Sequence, residues 1–391
     1  NKGPLQPMKI HLIAAARPNF MKIAPLYHAL KKEAWAEPVI VHTGQHYDIN
    51  MSDSFFKDLE LPDPHIHLGI GSGSHAEQSG NVMIAYEKVL LKEMPTLVVV
   101  VGDVNSTMAC TIAASKIVYP SLPDRPTRHL GDANRPIVAH LEAGLRSNDR
   151  SMPEEINRLV TDALADILWT PSADAVENLL NEGVAPEKIE NVGNIMIDSL
   201  EMVRQKIAGA NAFAEFGLTG GDFGLITLHR PSNVDSPESL SKLCRMLIHA
   251  SKETPFVFPV HPRTRKNLAA FGLMDMLRDA ERIILTEPMN YIRFMNLVFN
   301  CKFVITDSGG LQEETTYLSI PCLTRRPNTE RPVTVIQGTN QLCTMENLPR
   351  RIEHIISGKV KPHAVPDLWD GHTAGRIVES IRTFGQTSGA N

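Results

Sequence analysis

The stretch Asp307-Ser308-Gly309-Gly310 contains residue types that can bind a phosphate group. It follows the apolar run 303–305, which predicts a buried parallel strand, and it precedes a short helical pattern. Two adjacent glycines at the start of a helix leave backbone N–H groups accessible, and such groups bind phosphate or diphosphate. Glu314, about one helical turn further on, is placed to accept both hydroxyls of a ribose. The stretch therefore indicates a nucleotide site.

A purely structural interpretation of the same stretch is also open. The glycines could serve a strand–turn–helix connection that requires a positive φ angle. The spacing matches neither a Walker A loop nor the GxGxxG pattern, so it does not decide between the two interpretations.

Charged and polar clusters also follow the other predicted strands. In open α/β sheets the ligand lies beyond the carboxyl ends of the strands, so such clusters are the first candidates for a site. Any one of them has a structural alternative: Arg17 and Glu142 could form an ion pair, and His140 could be a satisfied core histidine. Their recurrence at strand ends along the chain favours a functional site. The clusters are Arg17-Pro-Asn-Phe-Met-Lys22, Gly44-Gln45-His46, Gly102-Asp103, Glu142-Ala-Gly-Leu-Arg146, Pro153-Glu154-Glu155-Ile-Asn-Arg158, His229-Arg230-Pro231 and His261-Pro262-Arg263.

The elements that must position these clusters alternate between short apolar runs and longer helical patterns. This alternation predicts an α/β protein with parallel sheets and helices on both faces. The strands are too many for one small sheet, and a break falls near Gly193-Asn194, so we expect two doubly wound, Rossmann-like domains that face each other. The predicted strands are 10–15, 39–43, 97–101, 137–140, 167–170, 224–228, 256–260, 283–286, 303–306 and 321–324. The predicted helices include 76–93, 154–165, 173–182, 239–253 and 291–299.

Composition excludes several classes of protein. The 391 residues are 42% hydrophobic and 21% charged, as in an ordinary globular protein long enough for two domains. The net charge of −5 argues against a nucleic-acid partner, and the longest apolar runs are too short to span a membrane. The five cysteines are scattered without a CxxC pair, which argues against a zinc site or disulfide framework and suits a cytoplasmic protein.

Taken together, the clusters resemble the UDP-N-acetylglucosamine 2-epimerase family of the non-hydrolysing bacterial and archaeal type. They occur in the order typical of the family and cover almost the whole chain from Met8. The matching segments are Arg17-Pro-Asn-Phe-Met-Lys22-Ile-Ala-Pro, Thr43-Gly-Gln45-His46-Tyr, Gly102-Asp103-Val-Asn-Ser-Thr, His140-Leu-Glu142-Ala-Gly-Leu-Arg146, Pro153-Glu154-Glu155-Ile-Asn-Arg158, Leu228-His229-Arg230-Pro-Ser-Asn233, Thr306-Asp-Ser308-Gly-Gly-Leu-Gln-Glu313-Glu314 and Thr329-Glu330-Arg331-Pro332.

The resemblance implies a glycosyltransferase-B-like fold, with two Rossmann-like domains and a central cleft. We place an N-terminal domain with the acid–base groups at 8–192 and a C-terminal, UDP-binding domain at 193–366. In the family the last helix returns to the N-terminal domain, and here 367–391 is assigned to that segment, with the helix at about 369–384. The segment 119–136 is rich in Pro, Arg and Asp and is interpreted as a surface insertion.

The reaction implied is inversion at C2 of the sugar, which converts UDP-N-acetylglucosamine to UDP-N-acetylmannosamine. The C2 hydrogen is not acidic, because C1 is an acetal carbon rather than a carbonyl. Expulsion of UDP from C1 develops oxocarbenium character and makes this hydrogen removable, giving UDP and 2-acetamidoglucal. Re-addition of UDP with protonation on the opposite face gives the epimer. This route needs acid–base groups and contacts to the departing diphosphate, and it needs neither a metal nor a redox cofactor.

The resemblance also implies residue roles. Proton transfer falls to carboxylates at Asp103, Glu142 and Glu154 with Lys22 and His229, although Glu142 could instead orient Arg17 or Lys22. Crowded carboxylates in a cleft raise at least one pKa, so one can act as acid while another acts as base. The substrate-binding residues implied are Ser308, Gly309 and Gly310 for the diphosphate, aided by Arg17 and His229; Glu314 for the ribose; Arg158 for the sugar or a carboxylate; Met289, Tyr291 and Phe294 for uracil; and Arg326 and Arg331 for phosphate.

Several alternatives stay open. Gln45, His46 and Gln78 match positions where bacterial members bind a second, activating UDP-N-acetylglucosamine, but the chain departs from the bacterial pattern at 74–78. The family is usually homodimeric. A hydrolysing 2-epimerase, a 2-epimerase of UDP-2,3-diacetamido-hexuronic acids, a glycosyltransferase of the same fold and a non-catalytic UDP-sugar sensor are the competing functions.

Overall fold

The computed structural model describes residues 7–44, 56–120 and 134–386 of the chain. These residues form two compact units. Unit 1 contains those up to Met202 together with those from Asp367 onward, and unit 2 contains Val203–Pro366. The division falls within the continuous helix Ile195–Gly209, and not at the predicted boundary after residue 192. Most of the predicted insertion, residues 121–133, lies outside the described residues.

Unit 1 is built on a seven-stranded parallel sheet in the order β3-β2-β1-β4-β5-β6-β7. The order reverses between β1 and β4, so the carboxyl ends of these two strands flank a topological switch point, where such sheets bind ligands. All five residues of β4 are buried, because helices cover both faces of the sheet. The strands are β1 (Met8–Ala14), β2 (Ala36–Gly44), β3 (Ile66–Ile70), β4 (Leu97–Val101), β5 (Ile137–Leu141), β6 (Ile167–Thr170) and β7 (Ile189–Asn191).

Unit 2 repeats this plan with a six-stranded parallel sheet in the order β10-β9-β8-β11-β12-β13. Its switch point lies between β8 and β11. The strands are β8 (Gly224–Thr227), β9 (Phe256–Pro259), β10 (Ile283–Thr286), β11 (Phe303–Thr306), β12 (Cys322–Thr324) and β13 (Asn340–Leu342). The two doubly wound sheets confirm the predicted fold class.

Helices connect successive strands in both units. In the described part of the chain, no helix is both long enough and apolar enough to cross a membrane. The helices up to the division are α1 (Arg17–Lys31), α2 (His75–Glu93), α3 (Asn105–Lys116), α4 (Pro153–Leu164), α5 (Ala173–Asn181) and α6 (Ile195–Gly209). Those that follow in unit 2 are α7 (Pro231–Val234), α8 (Pro237–Ser251), α9 (Pro262–Ala270), α10 (Met274–Arg278), α11 (Tyr291–Asn300), α12 (Gly310–Tyr317), α13 (Pro332–Ile336) and α14 (Leu348–Ile356).

The strands that the sequence did not predict are β3, β7 and β13, which all lie at sheet edges. An edge strand is covered on fewer sides, so it needs no continuous apolar run. In β3 and β7 no residue is fully buried, and β13 has only three residues, of which two are half-buried. The central strands do carry such runs, and they were predicted to within about three residues at each end.

The C-terminal segment of unit 1 ends in helix α15 (Thr373–Gln386). The helix begins later than the predicted residue 369, because Asp198 accepts the backbone N–H groups of Thr373 and Ala374 and so caps the helix there. Ser380 on this helix accepts the indole N–H of Trp169, the last residue but one of β6. The segment is therefore tied to the sheet of unit 1.

Candidate functional site

In unit 1, the carboxyl ends of β1 and β4 are joined by Asn19. Its carbonyl oxygen accepts the N–H groups of Ala15 and Ala16 at 3.2 and 3.1 Å, and its amide donates to the carbonyl of Val101 at 3.3 Å. The side chain thus stabilises the first turn of α1 and links it to the neighbouring strand. Lys22 lies on the following turn of this helix.

Lys22 forms a buried ion pair with Glu142, one residue after β5. The Glu142 side chain is only 3% exposed, and its φ angle is +72°. A non-glycine residue in this region costs about 1–3 kcal/mol, which is characteristic of functional sites. Lys22 binds Oε2, whereas Oε1 is buried and accepts no hydrogen bond from any residue that the structure describes. Glu142 therefore keeps one carboxylate oxygen uncommitted in a site with little water access.

Gly102 explains how closely this pair packs against the end of β4. It has a φ angle of +68°, and a Cβ atom at this position would lie 3.1 Å from Lys22 Nζ. Glycine is favoured here because of its positive φ angle, and a side chain would also crowd the Lys22 ammonium group. The next residue, Asp103, is thereby brought to the same strand-end edge as Glu142.

Asp103 is bound by helix α4. Its carboxylate Oδ2 lies 2.5 Å from Nη1 of Arg158, and its backbone carbonyl accepts the Asn157 amide at 2.9 Å. The Asp103 side chain is 31% exposed, whereas Arg158 is buried. Of its two predicted partners, a sugar or a carboxylate, Arg158 here binds the carboxylate.

Glu155, which the sequence analysis did not select, holds Arg158 in place. Its Oε2 accepts from the guanidinium at 2.6 and 2.9 Å, and the carboxylate also accepts the N–H groups of Ser147 and Asn148. Burial opposes ionisation of Glu155, but these donors outweigh it and lower its pKa. Helical periodicity could have found this residue, because positions 155, 158 and 162 share one face of α4.

Glu154 has a different environment from the other two predicted carboxylates. It is exposed on the first turn of α4, while Glu155 occupies the buried face. Asp103 and Glu142 instead pair with Arg158 and Lys22. Arg17 is half-buried at the start of α1, and Gln78 on α2 accepts the Asn105 amide at 2.8 Å. Gln45 and His46 lie outside the described residues.

In unit 2, Asp307 organises the carboxyl ends of β8 and β11. It is fully buried, and its Oδ2 accepts the N–H groups of His229 and Arg230 at 3.0 and 2.8 Å and the Asn233 amide at 3.0 Å. His229 Nδ1 lies 2.8 Å from Oδ1, so the other ring nitrogen is the one available to a ligand. Burial opposes ionisation of Asp307, but His229 and the other donors lower its pKa.

The Ser308-Gly309-Gly310 turn follows directly. Gly309 has a φ angle of −71°, so the alternative that a positive φ requires glycine here is wrong. A Cβ atom on Gly309 would lie 2.8 Å from both Arg331 Nη1 and Glu330 Oε1, whereas one on Gly310 would meet no atom within 4 Å. Gly309 thus permits a close approach by the Arg331–Glu330 pair, and the start of α12 above Gly310 is open.

Arg331 belongs to a buried ion-pair group. It pairs with Glu330 and, at 3.0 Å, with Glu313, while Arg326 pairs with Glu330 at 2.7 Å. Burial opposes ionisation of Glu330, but Arg331 and Arg326 hold its pKa well below the usual range. Arg331 is therefore fixed beside Gly309 by carboxylates of its own unit.

Glu314, predicted to bind ribose, is buried on α12, and its Oε1 accepts the Tyr291 hydroxyl at 2.6 Å. Tyr291 begins α11 and is itself buried. Met289 precedes α11 and Phe294 lies in its first turn, and both side chains are half-buried. The predicted ribose and uracil residues thus belong to two adjoining elements of unit 2, α11 with its preceding turn and α12.

Comparison with known proteins now identifies the family. Residues 28–121 and 130–382 match the family model described as UDP-N-acetylglucosamine 2-epimerase. The chain belongs to this family. It is 40% identical over 388 residues to the UDP-N-acetylglucosamine 2-epimerase of Methanocaldococcus jannaschii, with 97% of this chain and all of that protein covered.

Two further comparisons extend the family assignment. The chain is 39% identical over 339 residues to the UDP-2,3-diacetamido-2,3-dideoxy-D-glucuronate 2-epimerase of Pseudomonas aeruginosa, with 86% of this chain and 88% of that protein covered. The crystal structure of the M. jannaschii enzyme in complex with UDP-GlcNAc and UDP superposes with a TM-score of 0.81, and covers 96% of this chain and 100% of that one. The family resemblance drawn from the sequence motifs is confirmed.

The described residues contain no group of three or more His, Cys, Asp or Glu side chains arranged to hold a metal ion. Glu142, Asp162 and Asp307 are instead bound by lysine, arginine, histidine or backbone N–H groups. Their electrostatic partners are therefore built into the chain.

The lowered pKa of Asp307 predicts how its contribution to stability depends on pH. Its usual value is about 3.9, and the folded value is lower, so the contribution is complete above about pH 4 and is lost as the pH falls through the folded pKa. We expect Asp307→Asn to lower the free energy of unfolding by about 2 kcal/mol at neutral pH, and this difference from the parent should shrink in acid. Urea unfolding at a series of pH values measures it.

The matched control is Asp222→Asn, which changes an exposed aspartate of the same unit. Its unfolding curves should follow those of the parent at every pH. A difference between Asp307→Asn and the parent that stays constant or grows below about pH 4 would contradict the prediction.

Proposed function

We propose that the protein is a non-hydrolysing UDP-N-acetylglucosamine 2-epimerase, an isomerase that interconverts UDP-GlcNAc and UDP-ManNAc. The observation that carries this proposal is Glu142, a buried carboxylate with one oxygen bound to Lys22 and the other uncommitted. A UDP-sugar sensor needs contacts to the nucleotide but no such acid–base group. The 40% identical M. jannaschii relative supports the choice of substrate.

Unit 1 supplies the proton transfers in this proposal. Removal of the C2 hydrogen as UDP departs requires a base, and reprotonation on the opposite face requires an acid. Asp103 and Glu142 differ in their partners and burial, since Asp103 is 31% exposed and bound by Arg158 while Glu142 is almost fully buried beside Lys22. Different surroundings let two carboxyl groups take different protonation states. Lys22 keeps Glu142 oriented, and Glu154 is the third carboxylate proposed to act.

Unit 2 supplies the contacts to UDP in this proposal. The N–H groups at the start of α12, with Ser308, Gly309 and Gly310, bind the diphosphate, and His229 and Arg331 contact it as well. Arg17 of unit 1 assists as a further cation. Glu314 accepts the ribose hydroxyls, and Met289 and Phe294 contact the uracil. These contacts retain UDP through bond cleavage and re-addition, because a released UDP would leave the glycal without its partner.

The finer assignments are also proposals. Gln78, with Gln45 and His46, would bind a second UDP-GlcNAc as activator, and the enzyme would work as a homodimer in the cytoplasm. The Gln78 side chain accepts a hydrogen bond from Asn105, two residues after Asp103, so an activator at this position would lie one hydrogen bond and two residues from a proposed catalytic carboxylate.

A second candidate function is 2-epimerisation of a UDP-2,3-diacetamido-hexuronic acid. The 39% identity to the P. aeruginosa enzyme favours considering it. The chemistry at C1 and C2 would be the same, so only contacts to the substituents at C3 and C6 would differ. Parallel assays with both sugar nucleotides, compared by kcat/KM, distinguish the two.

Incubation with UDP-GlcNAc in heavy water tests the proposed reaction. We expect deuterium at C2 of the recovered sugar nucleotide together with UDP-ManNAc, because the C2 hydrogen is removed and a deuteron from the solvent replaces it. Proton NMR of the reaction mixture measures both. Free N-acetylmannosamine in place of UDP-ManNAc would instead support the hydrolysing enzyme, and the absence of label and epimer would exclude both.

Substitution of the Asp103 and Glu142 carboxylates tests the acid–base assignment. We expect Asp103→Asn and Glu142→Gln each to lower kcat by about 100-fold or more, because each variant keeps its size but loses its basic form. UDP binding, measured by calorimetry, should be unchanged. Glu177→Gln, an exposed glutamate on α5, is the matched control and should keep the parental kcat. Parental turnover in both test variants would overturn the assignment.

Ser308→Ala tests the nucleotide contacts separately. We expect UDP binding to weaken by about 10-fold, as after loss of one hydrogen bond to a charged group, and the C2 exchange at saturating substrate to change less. Ser357→Ala, an exposed serine at the end of α14, serves as the control. Equal UDP affinities of Ser308→Ala and Ser357→Ala would argue against a diphosphate contact by Ser308.

A further inference from the structure

His140 is a fully buried residue of β5, two positions before Glu142. Its Nδ1 lies 2.5 Å from Oδ1 of Asp162, and its Nε2 lies 2.8 Å from the carbonyl oxygen of Gly102. The Gly102 carbonyl can only accept a hydrogen bond, so Nε2 must donate. The hydrogen-bonding state of Asp162 then decides the role of Nδ1.

Asp162 is an ionised acceptor. Its Oδ2 accepts the N–H of Gly144 at 3.0 Å and the guanidinium of Arg146 at 2.7 Å. Burial opposes ionisation, but His140 and Arg146 outweigh it and lower the pKa of Asp162. Nδ1 of His140 faces this carboxylate and Nε2 faces the Gly102 carbonyl, so both ring nitrogens face acceptors, and a ring that donates to both is an imidazolium.

The hydrogen bonds of His140 and Asp162 involve both turns that carry proposed catalytic carboxylates, the Gly102–Asp103 turn and the turn at Glu142. The carbonyl of Gly102 belongs to the peptide that leads into Asp103, so its orientation sets the direction of that residue. Asp162 holds Gly144, two residues after Glu142, and so stabilises the turn in which Glu142 has its strained φ angle. Helix α4 carries Asp162 together with Arg158, the residue that binds the Asp103 carboxylate.

A second buried histidine of the same sheet provides a contrast. His11 on β1 is also fully buried, but its Nδ1 faces only the Tyr86 hydroxyl, and its Nε2 has no hydrogen-bond partner among the described residues. Burial lowers the pKa of His11 to about 3, so it is a neutral core histidine. The two donated bonds of His140 exceed what a core position in this sheet requires.

We propose that His140 is a positioning residue that, as an imidazolium bound to Asp162, aligns the Gly102–Asp103 turn with the Glu142 turn for proton transfer at C2. It does not touch substrate, and it acts through the Gly102 carbonyl. The inference rests on the proposed function, because that function supplies the reaction for which the two turns are aligned. The protonation of the ring can be tested without it.

Two substitutions separate the two bonds. A glutamine amide reaches the position of Nε2, so His140→Gln retains a donor to Gly102, while an asparagine amide lies near Nδ1, so His140→Asn retains only the bond to Asp162. We expect kcat to fall about 10-fold in His140→Gln and about 100-fold in His140→Asn, with KM and UDP affinity close to the parental values, since misplacement of reacting groups costs turnover on this scale. His11→Gln, with its partner Tyr86 outside the site, should keep the parental kcat.

Nitrogen NMR of histidine-labelled native protein gives an independent readout. At about pH 7.5, where a free histidine is mostly neutral, we expect both ring nitrogens of His140 to carry protons, with the signal assigned by its loss in His140→Gln. A neutral ring in the spectrum, or a His140→Asn enzyme at least as active as His140→Gln, would overturn the inference. If the native protein shows no C2 exchange, the proposed function fails instead, and the spectrum still decides the state of the ring.

Discussion

The free-energy cost of burying charged groups is the constraint on which the loops at the carboxyl ends of the strands depend in both units. A carboxylate removed from water must receive a cation or several hydrogen bonds, or it loses its charge. Three buried carboxylates meet this requirement with partners from a different element: Glu142 with Lys22 of α1, Asp162 with His140 of β5, and Asp307 with backbone N–H groups after β8. These pairings hold in place the loops that follow the strands.

The two units meet this constraint in the same way and for different ends. In each, a buried aspartate accepts at least one backbone N–H near the carboxyl end of a central strand and also binds a histidine, Asp162 with His140 in unit 1 and Asp307 with His229 in unit 2. In unit 1 the histidine is fully buried, whereas in unit 2 the histidine side chain is 40% exposed. The first arrangement suits alignment of neighbouring turns, and the second suits contact with a ligand.

Glu142 departs from this pattern, and its departure is informative. It has a strained φ angle and an uncommitted buried oxygen, which together lower stability without improving packing. Such a conformation persists only where surrounding bonds impose it, and here Lys22 and the Asp162–Gly144 bond do so. In the proposed epimerisation, such a carboxylate would exchange a proton with little reorganisation.

The sequence by itself determined the two doubly wound sheets, the central strands and the strand-end positions of Asp103, Glu142, His229 and Ser308, because apolar runs and their polar ends are local patterns. It also determined the family, through motifs spread along the chain. The tertiary structure alone decided which carboxylates are partnered and by what. Glu155 rather than Glu154 faces the buried side of α4, Gly309 is needed for the approach of Arg331 rather than for a positive φ, and His140 bonds to Gly102, which lies 38 residues away in the chain. These are contacts between distant segments, and hydrogen-bond direction and burial at such contacts are properties of the folded chain that no local pattern encodes.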